Sequence, residues 1–286
     1  MDGRVCVNVP HGFWDGGNYC RDLWLRPINS NDEALVAESA GASVAHRANE
    51  LLTRCLADGD ASLDRRRSRV RDLAAGDREA LLLHLRRISF GERFDGIFHC
   101  RRPECDAALE LDLHINDLLL APYGHASQRY QRVLRDGDSE YHVNFRLPTA
   151  GDQEEVVGVA RSESERAARM IFERCVTSVE ADGCPVALEG LPSPLFEQAV
   201  ALMEELDPQA VIEFELQCPE CGNCCSAILD TASFLLQEVD QHADHLLREI
   251  HTLAVWYHWS EEAILNMPKL RRERYLDLIA AETGRA

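Results

Sequence analysis

Long apolar runs are missing from this 286-residue chain. No window approaches 18 uncharged apolar residues, so no segment is built to span a bilayer as a helix. The opening MDGRVCVNVPHGFWDGG lacks the basic-then-apolar order of an export signal, and we expect synthesis and folding in a reducing cytoplasm. Positive charge is short as well: 30 lysines and arginines face 49 aspartates and glutamates, a formal charge of −19. Such a chain repels a phosphate backbone unless a local basic face overcomes it. The best basic runs, Asp64–Arg71 and Lys269–Arg274, are short. Catalytic order is absent too. The serines and histidines form no nucleophile–base–orienter pattern, and Gly16–Gly17 is too sparse for a phosphate loop, so we expect no enzyme.

Cysteine is not scarce. Eleven of them occur, but a chain this long can bury a conventional core and needs no disulfide scaffold. Two pairs stand out, Cys100/Cys105 and Cys218/Cys221, each at the tip of an expected hairpin that leads into a helix. Ala107, Leu109, Leu111 and Leu113 alternate with Ala108, Glu110, Asp112 and His114; Ile212, Phe214 and Leu216 alternate with Glu213, Glu215 and Gln217. Each hairpin therefore has one core face, and the two read as an internal repeat. Neither pair holds a tetrahedral metal alone. The reading that follows is one structural Zn2+ per chain, closed by Cys100, Cys105, Cys218 and Cys221. CPEC followed by Gly222 is a strong knuckle; CRRPEC, with its four-residue gap, is weaker. A ligand set that uses His99, Cys224 or Cys225, or plain buried thiols, are the alternatives. Cys6, Cys20, Cys55, Cys175 and Cys184 default to structural or incidental thiols, with Cys55 and Cys175 in helix cores.

Around these pairs the chain divides into residues 1–76, an N-terminal strand and helix region with a basic connector; 77–122, a first helix and half-ribbon; 123–205, an inserted strand and helical lobe; 206–240, the second half-ribbon and a helix start; and 241–286, a helical C-terminal region. A strand is expected at 20–28, ending at Pro27, then a helix from Asn31 or Asp32 to Cys55. Gly59–Gly76 reads as a connector before a helix from Asp77. Residues 143–147 alternate up to Pro148, residues 163–179 have helical spacing, and Ser193–Pro194 opens a helix ending near Leu206. Asp230 and Ser260 are suited to cap helices further on. His242, His245, His251 and His258 are too loosely spaced for a metal and read as ordinary histidines. The expected fold class is α+β: a split zinc-ribbon-like pair of β-hairpins clamped by the four cysteines and surrounded by helices.

Several segments carry a resemblance: LRPINSNDEALVAE at 25–38, DREALLLHLRRISFGERFDGIFHC at 77–100, VNFRLPTAGDQEEV at 143–156, LDPQAVIEFELQCPECG at 206–222 and HTLAVWYHWSEEAILNMPKLRRERYLDLI at 251–279. Together they resemble the baseplate proteins of contractile-tailed bacteriophages, with relatives in phage-derived contractile injection systems. The resemblance implies a non-enzymatic assembly component whose partners are other baseplate or tail-hub proteins. It also implies that the four cysteines occupy the family's metal-knuckle positions, and that FRLPT and YHWSEE are packing or docking elements. An assembly chaperone that leaves the finished particle is the alternative, with a zinc-ribbon nucleic-acid regulator behind it. For the partner surface the residues singled out are Trp256, Trp259, Lys269, Arg271, Arg272 and Arg274, where aromatic anchors stand beside a basic cluster.

Overall fold

The computed structural model describes residues 3–284 except 58, 60, 106, 161, 189 and 190. Its first element is a hairpin of β1 (Val5–Asp15) and β2 (Asn18–Leu25). Gly16 and Gly17, between the strands, both have positive φ, as a two-residue turn matched to strand twist requires. The strand expected at 20–28 is thus the return arm of this hairpin and stops at Leu25. The helix expected to run to Cys55 is two helices. In α1 (Ser30–Glu38) the cap is Asn29, which accepts from the Asn31 and Asp32 amides, so Asp32 closes a capping box rather than being the cap. After a Ser-Ala-Gly-Ala-Ser break, α2 (Val44–Cys55) restarts with Ser43 as its cap.

The expected connector at 59–76 contains α3 (Leu63–Asp72). Its arginines are held by the rest of the chain: Arg67 pairs with Glu50, and Arg65 and Arg69 pair with Asp15. Those partners lie far away in sequence, which is why the helix could not be read locally. Next comes α4 (Ala75–Phe90), which starts two residues before Asp77 and is buried on every side from Ala75 to Arg86. Its polar residues are satisfied individually. Asp77 accepts from the His11 and Gly12 amides at 2.7 and 2.8 Å, and Arg86 pairs with Glu238 at 2.8 Å. The Gly76 amide donates to Asp207, and a Cβ at Gly76 would stand 2.0 Å from that carboxylate, so the approach demands glycine. The first cysteine hairpin, β3 (Arg93–His99) and β4 (Ala108–His114), leads into the short α5 (Ile115–Leu118).

The segment 123–205 and its continuation follow the same plan. A hairpin of β5 (Tyr130–Asp136) and β6 (Ser139–Phe145) precedes α6 (Ala150–Ala160) and α7 (Ser164–Cys175). The helical spacing read over 163–179 holds only to Cys175. The β-branched Val176 and Val179 lie in β7 (Val176–Ala181), which with the short β8 (Cys184–Pro185) completes a sheet of order β5-β6-β7-β8. Then come α8 (Ser193–Leu206), a 3-10 turn at Pro208–Ala210, and the second cysteine hairpin, β9 (Ile212–Gln217) and β10 (Cys224–Leu229). Asp230 caps α9 (Thr231–Tyr257), and Ser260 caps α10 (Glu261–Leu265), which is followed by α11 (Lys269–Thr283). The fold is α+β, with β-hairpins surrounded by helices.

This plan is a duplication of far more than the cysteine hairpins. Over residues 23–56, adding 120 to a residue number in the first unit gives its partner in the second, whereas Cys100 and Cys105 precede Cys218 and Cys221 by 118 and 116. Leu23, Leu25, Val36, Leu52 and Leu56 become Val143, Phe145, Val156, Phe172 and Val176, and all ten are buried. The Arg26 amide donates to the Cys55 carbonyl at 2.9 Å, and the Arg146 amide to that of Cys175 at 3.0 Å. The spacers differ, α3 in the first unit and the β7–β8 turn in the second.

Candidate metal centre

Each cysteine hairpin places one thiol where its first strand ends and a second across the turn. Cys100 follows β3, and its amide donates to the Ala107 carbonyl; Cys218 follows β9, and its amide donates to the Asn223 carbonyl. Gly222, at φ 69°, closes the second turn onto the Cys218 carbonyl. The hairpins meet through their apolar faces, with Phe98 edge-on to Phe214 and the sulfurs packed among Ala107, Leu109 and Leu216. All four sulfurs, of Cys100, Cys105, Cys218 and Cys221, lie within 4.8 Å of one another. Two contacts that cross between units are close: Cys100 to Cys221 at 3.7 Å and Cys105 to Cys218 at 3.8 Å. Zinc–sulfur bonds of 2.3 Å in a tetrahedron set an edge of about 3.8 Å, so the donor set fits a tetrahedral thiophilic cation. A disulfide would need about 2.05 Å.

The electrostatics also call for a cation. Backbone amides two residues after a cysteine, those of Arg102, Ala107 and Asn223, favour the thiolates of Cys100, Cys105 and Cys221. The Asn223 amide, helped by the neighbouring thiols and opposed by burial, holds Cys221 down at about 7. For Cys105 the Ala107 amide acts the same way, but Cys221, burial and the other sulfurs outweigh it and push the thiol up to about 12. One sulfur thus ionises at the expense of its neighbours. A bound divalent cation removes that conflict, because each thiolate then faces positive charge.

The remaining sulfur and nitrogen candidates lie outside the cluster. Cys224 is exposed on β10, the Cys225 thiol donates to the Leu216 carbonyl at 3.6 Å, and His99 is exposed at the end of β3. His242 stacks on Phe90, and the cysteine cluster is the one metal-capable group of His, Cys, Asp or Glu among the described residues. The residues singled out for partner contact separate into two sets. Trp259 stacks on Tyr257 and meets Tyr275 edge-on, and Arg272 is buried against Glu249. Trp256, Lys269, Arg271 and Arg274 are exposed.

Sequence reading missed a second polar device, present once in each unit. Asp32 accepts two bonds from Arg26 and one from Arg54, with the Cys55 sulfur 4.0 Å away. Asp152 accepts two from Arg146 and one from Arg174, with the Cys175 sulfur again 4.0 Å away. In both cases the partners stand 6, 22 and 23 residues from the aspartate. The signal was present as RPINSND…RC and RLPTAGD…RC at identical spacing. Burial alone would raise Asp32, but the bonds from Arg26, the Asn29 amide and Arg54 outweigh it and hold the carboxyl below its ordinary value; Asp152 is lowered in the same way by Arg146, Arg174 and Thr149. Burial pushes the Cys175 thiol up to about 12 and that of Cys55 higher still, so both are inert core thiols.

No helix among the described residues is long and apolar enough to cross a membrane. The family model described as T4 bacteriophage base plate protein matches residues 25–236. That span contains both aspartate clamps and all four clustered cysteines. No curated protein and no solved structure gives a match.

Proposed function

Since the chain belongs to the T4 bacteriophage base plate protein family, a structural family without a catalytic role, we propose that it is a zinc-stabilised scaffold within a baseplate or tail hub. Cys100 and Cys105 from the first unit, with Cys218 and Cys221 from the second, would hold the ion. When bound, zinc supplies strong bonds between two halves that are otherwise joined by packing and hydrogen bonds. The observation that carries the reading is that thiols of the two duplicated hairpins meet at the separations a tetrahedral site requires. The duplication favours grouping residues 1–122 and 123–240 as two units, each ending in its half of the centre, with 241–286 appended.

The backbone has a defined part in this scheme. The Asn223 amide holds the Cys221 thiol low before the ion arrives, the Arg102 and Ala107 amides oppose the rise that burial and neighbouring sulfurs impose on Cys100 and Cys105, and the apolar hairpin faces hold the four sulfurs together. The partners in this reading are other baseplate or tail-hub proteins, met in the cytoplasm during assembly and retained in the particle.

Two measurements test it. Elemental analysis of freshly purified, reduced protein is expected to give one zinc per chain; soluble protein without metal would end the zinc assignment. Proteomics of tail intermediates and finished particles is expected to recover the chain with baseplate proteins in both. Recovery from intermediates alone would replace the structural role with that of an assembly chaperone.

A further inference from the structure

We propose that the outward face of α11 is a docking surface for an acid-flanked amphipathic helix of another protein. The proposal rests on the assembly reading and names the surface and the chemistry of the partner. Leu270 and Leu278 are 75% and 55% exposed, and with Arg274 between them they form an i, i+4, i+8 stripe. Such a row is the ridge that enters the groove of a second helix. Beside it lies a hollow of about 530 Å³ lined by Pro268, Leu270, Arg271, Arg274, Tyr275 and Leu278. No carboxylate lines it.

The arginines here differ from those of α3. On α3, Arg65, Arg67, Arg69 and Arg71 each pair with a carboxylate of the same molecule. On α11, Arg272 turns inward to Glu249, Ser30 and the Met267 carbonyl, which fixes the rotation of the helix. Among the described residues Arg271 and Arg274 pair with no carboxylate, although the chain carries 49 acidic residues. Arg271 lies over the Tyr275 ring at 5.9 Å. Exposed leucines flanking two unmatched guanidinium groups fit a helix that offers apolar side chains bordered by aspartate or glutamate. A second copy of this chain fits poorly, because a two-fold contact through this face would set Arg271 and Arg274 against their own equivalents.

The test uses the full chain and two model peptides of about 18 residues, long enough to form a helix when docked, with one leucine face flanked by glutamate or by lysine. Binding is followed through Trp259, whose ring is 4.8 Å from that of Tyr275. The expected result is saturable binding of the glutamate-flanked peptide, weakened at least about tenfold in Arg271→Glu/Arg274→Glu, which should instead prefer the lysine-flanked peptide. Both side chains are exposed, so the variant should fold, and unchanged metal content and helicity would verify this. Leu278→Glu should abolish binding of either peptide. Absence of saturable binding, or equal binding of the two peptides by the wild-type chain, would overturn the proposal. So would a concentration-dependent dimer that Leu278→Glu dissolves, which would assign the face to a second copy. If the chain enters finished particles but binds neither peptide, this surface is wrong and the assembly role stands. If it binds as expected but enters no particle, the assembly role fails instead.

Discussion

Asp32 and Asp152 sit in matching clamps, but their surroundings differ. The Asp32 clamp closes onto the core that holds α4 and α9, where Val36, Leu52, Leu56, Leu82 and Val239 are buried together. The Asp152 clamp sits nearer the surface. Its Arg174 is 45% exposed and borders a cavity of about 540 Å³ between the units, where Phe13 and Trp14 face Arg65 and Arg69. Both units keep the aspartate, its two arginines and the cysteine at one spacing, whereas the segment that follows the second helix is α3 in one and β7–β8 in the other. Removing one partner from a buried ion cluster strands a charge and costs several kcal/mol. Exchanging a surface connector costs little, because its backbone is solvated or paired either way. The parts that match are the parts whose loss strands a buried group.

The largest effect expected on this comparison comes from the metal centre, where the units should prove equal. Cys100→Ser in the first unit and Cys218→Ser in the second should each abolish stoichiometric zinc and lower the melting temperature together, while Cys224→Ser and Cys225→Ser retain the metal. Elemental analysis with thermal denaturation checks this. Retention of zinc by Cys105→Ser together with its loss in Cys225→Ser would break the symmetry and move the fourth ligand to Cys225.

The clamps should come next, and unequally. Asp32→Ala is expected to cost about 3–5 kcal/mol, since it leaves Arg26 and Arg54 without their buried anion. Asp152→Ala should fall at the low end of that range or below, because water reaches Arg174. Urea midpoints of the two variants measure the difference, and a costlier Asp152→Ala would reverse the ranking of the units.

Changes of pH should separate the clamps from the central helix. A carboxyl lowered on folding contributes stability above its unfolded value, and that contribution disappears as pH falls through the folded value. For Asp32 and Asp152 the window lies below about pH 4. Asp77 has the opposite sign. Burial, opposed by the His11 and Gly12 amides and reinforced by the nearby Asp207, pushes it up to about 7. Its contribution is complete below the unfolded value near 3.8 and is lost as pH rises through 7. Urea midpoints should therefore peak between the two windows, and Asp152→Asn should flatten the acid limb alone.

The helix caps should give the smallest effect. Asn29 accepts from the Asn31 and Asp32 amides at the head of α1, and the Thr149 hydroxyl accepts from the Asp152 amide at the head of α6. Each alanine substitution is expected to cost about 1 kcal/mol. A loss much larger for Asn29→Ala than for Thr149→Ala in urea titration would show that the deeper core makes its cap more demanding.

Much of the local structure was legible because its causes are local. Asp230, Ser260 and the alternation on both sides of each cysteine turn mark their elements through side chains that act within a few residues. The break between α1 and α2 was legible in Ser39, Gly41 and the cap Ser43 but passed over, whereas α3 was hidden by partners on β1 and α2. The length of the duplication was hidden by its diluted pattern. Five apolar positions, two arginines, an aspartate and a cysteine recur at an offset of 120, but leucine becomes valine or phenylalanine and the connecting segments share nothing.

By itself, the sequence determined the two cysteine hairpins, several helix starts, the α+β class and the four thiols suited to one metal, because alternation, capping and ligand chemistry belong to short stretches of chain. Tertiary structure alone decided that the thiols of the two units meet, that Arg272 turns inward while Arg271 and Arg274 stay unmatched, and that Asp32 and Asp152 are buried anions. Those outcomes depend on groups brought together across 22 to 242 residues. Nothing in a local window states whether such a partner will arrive.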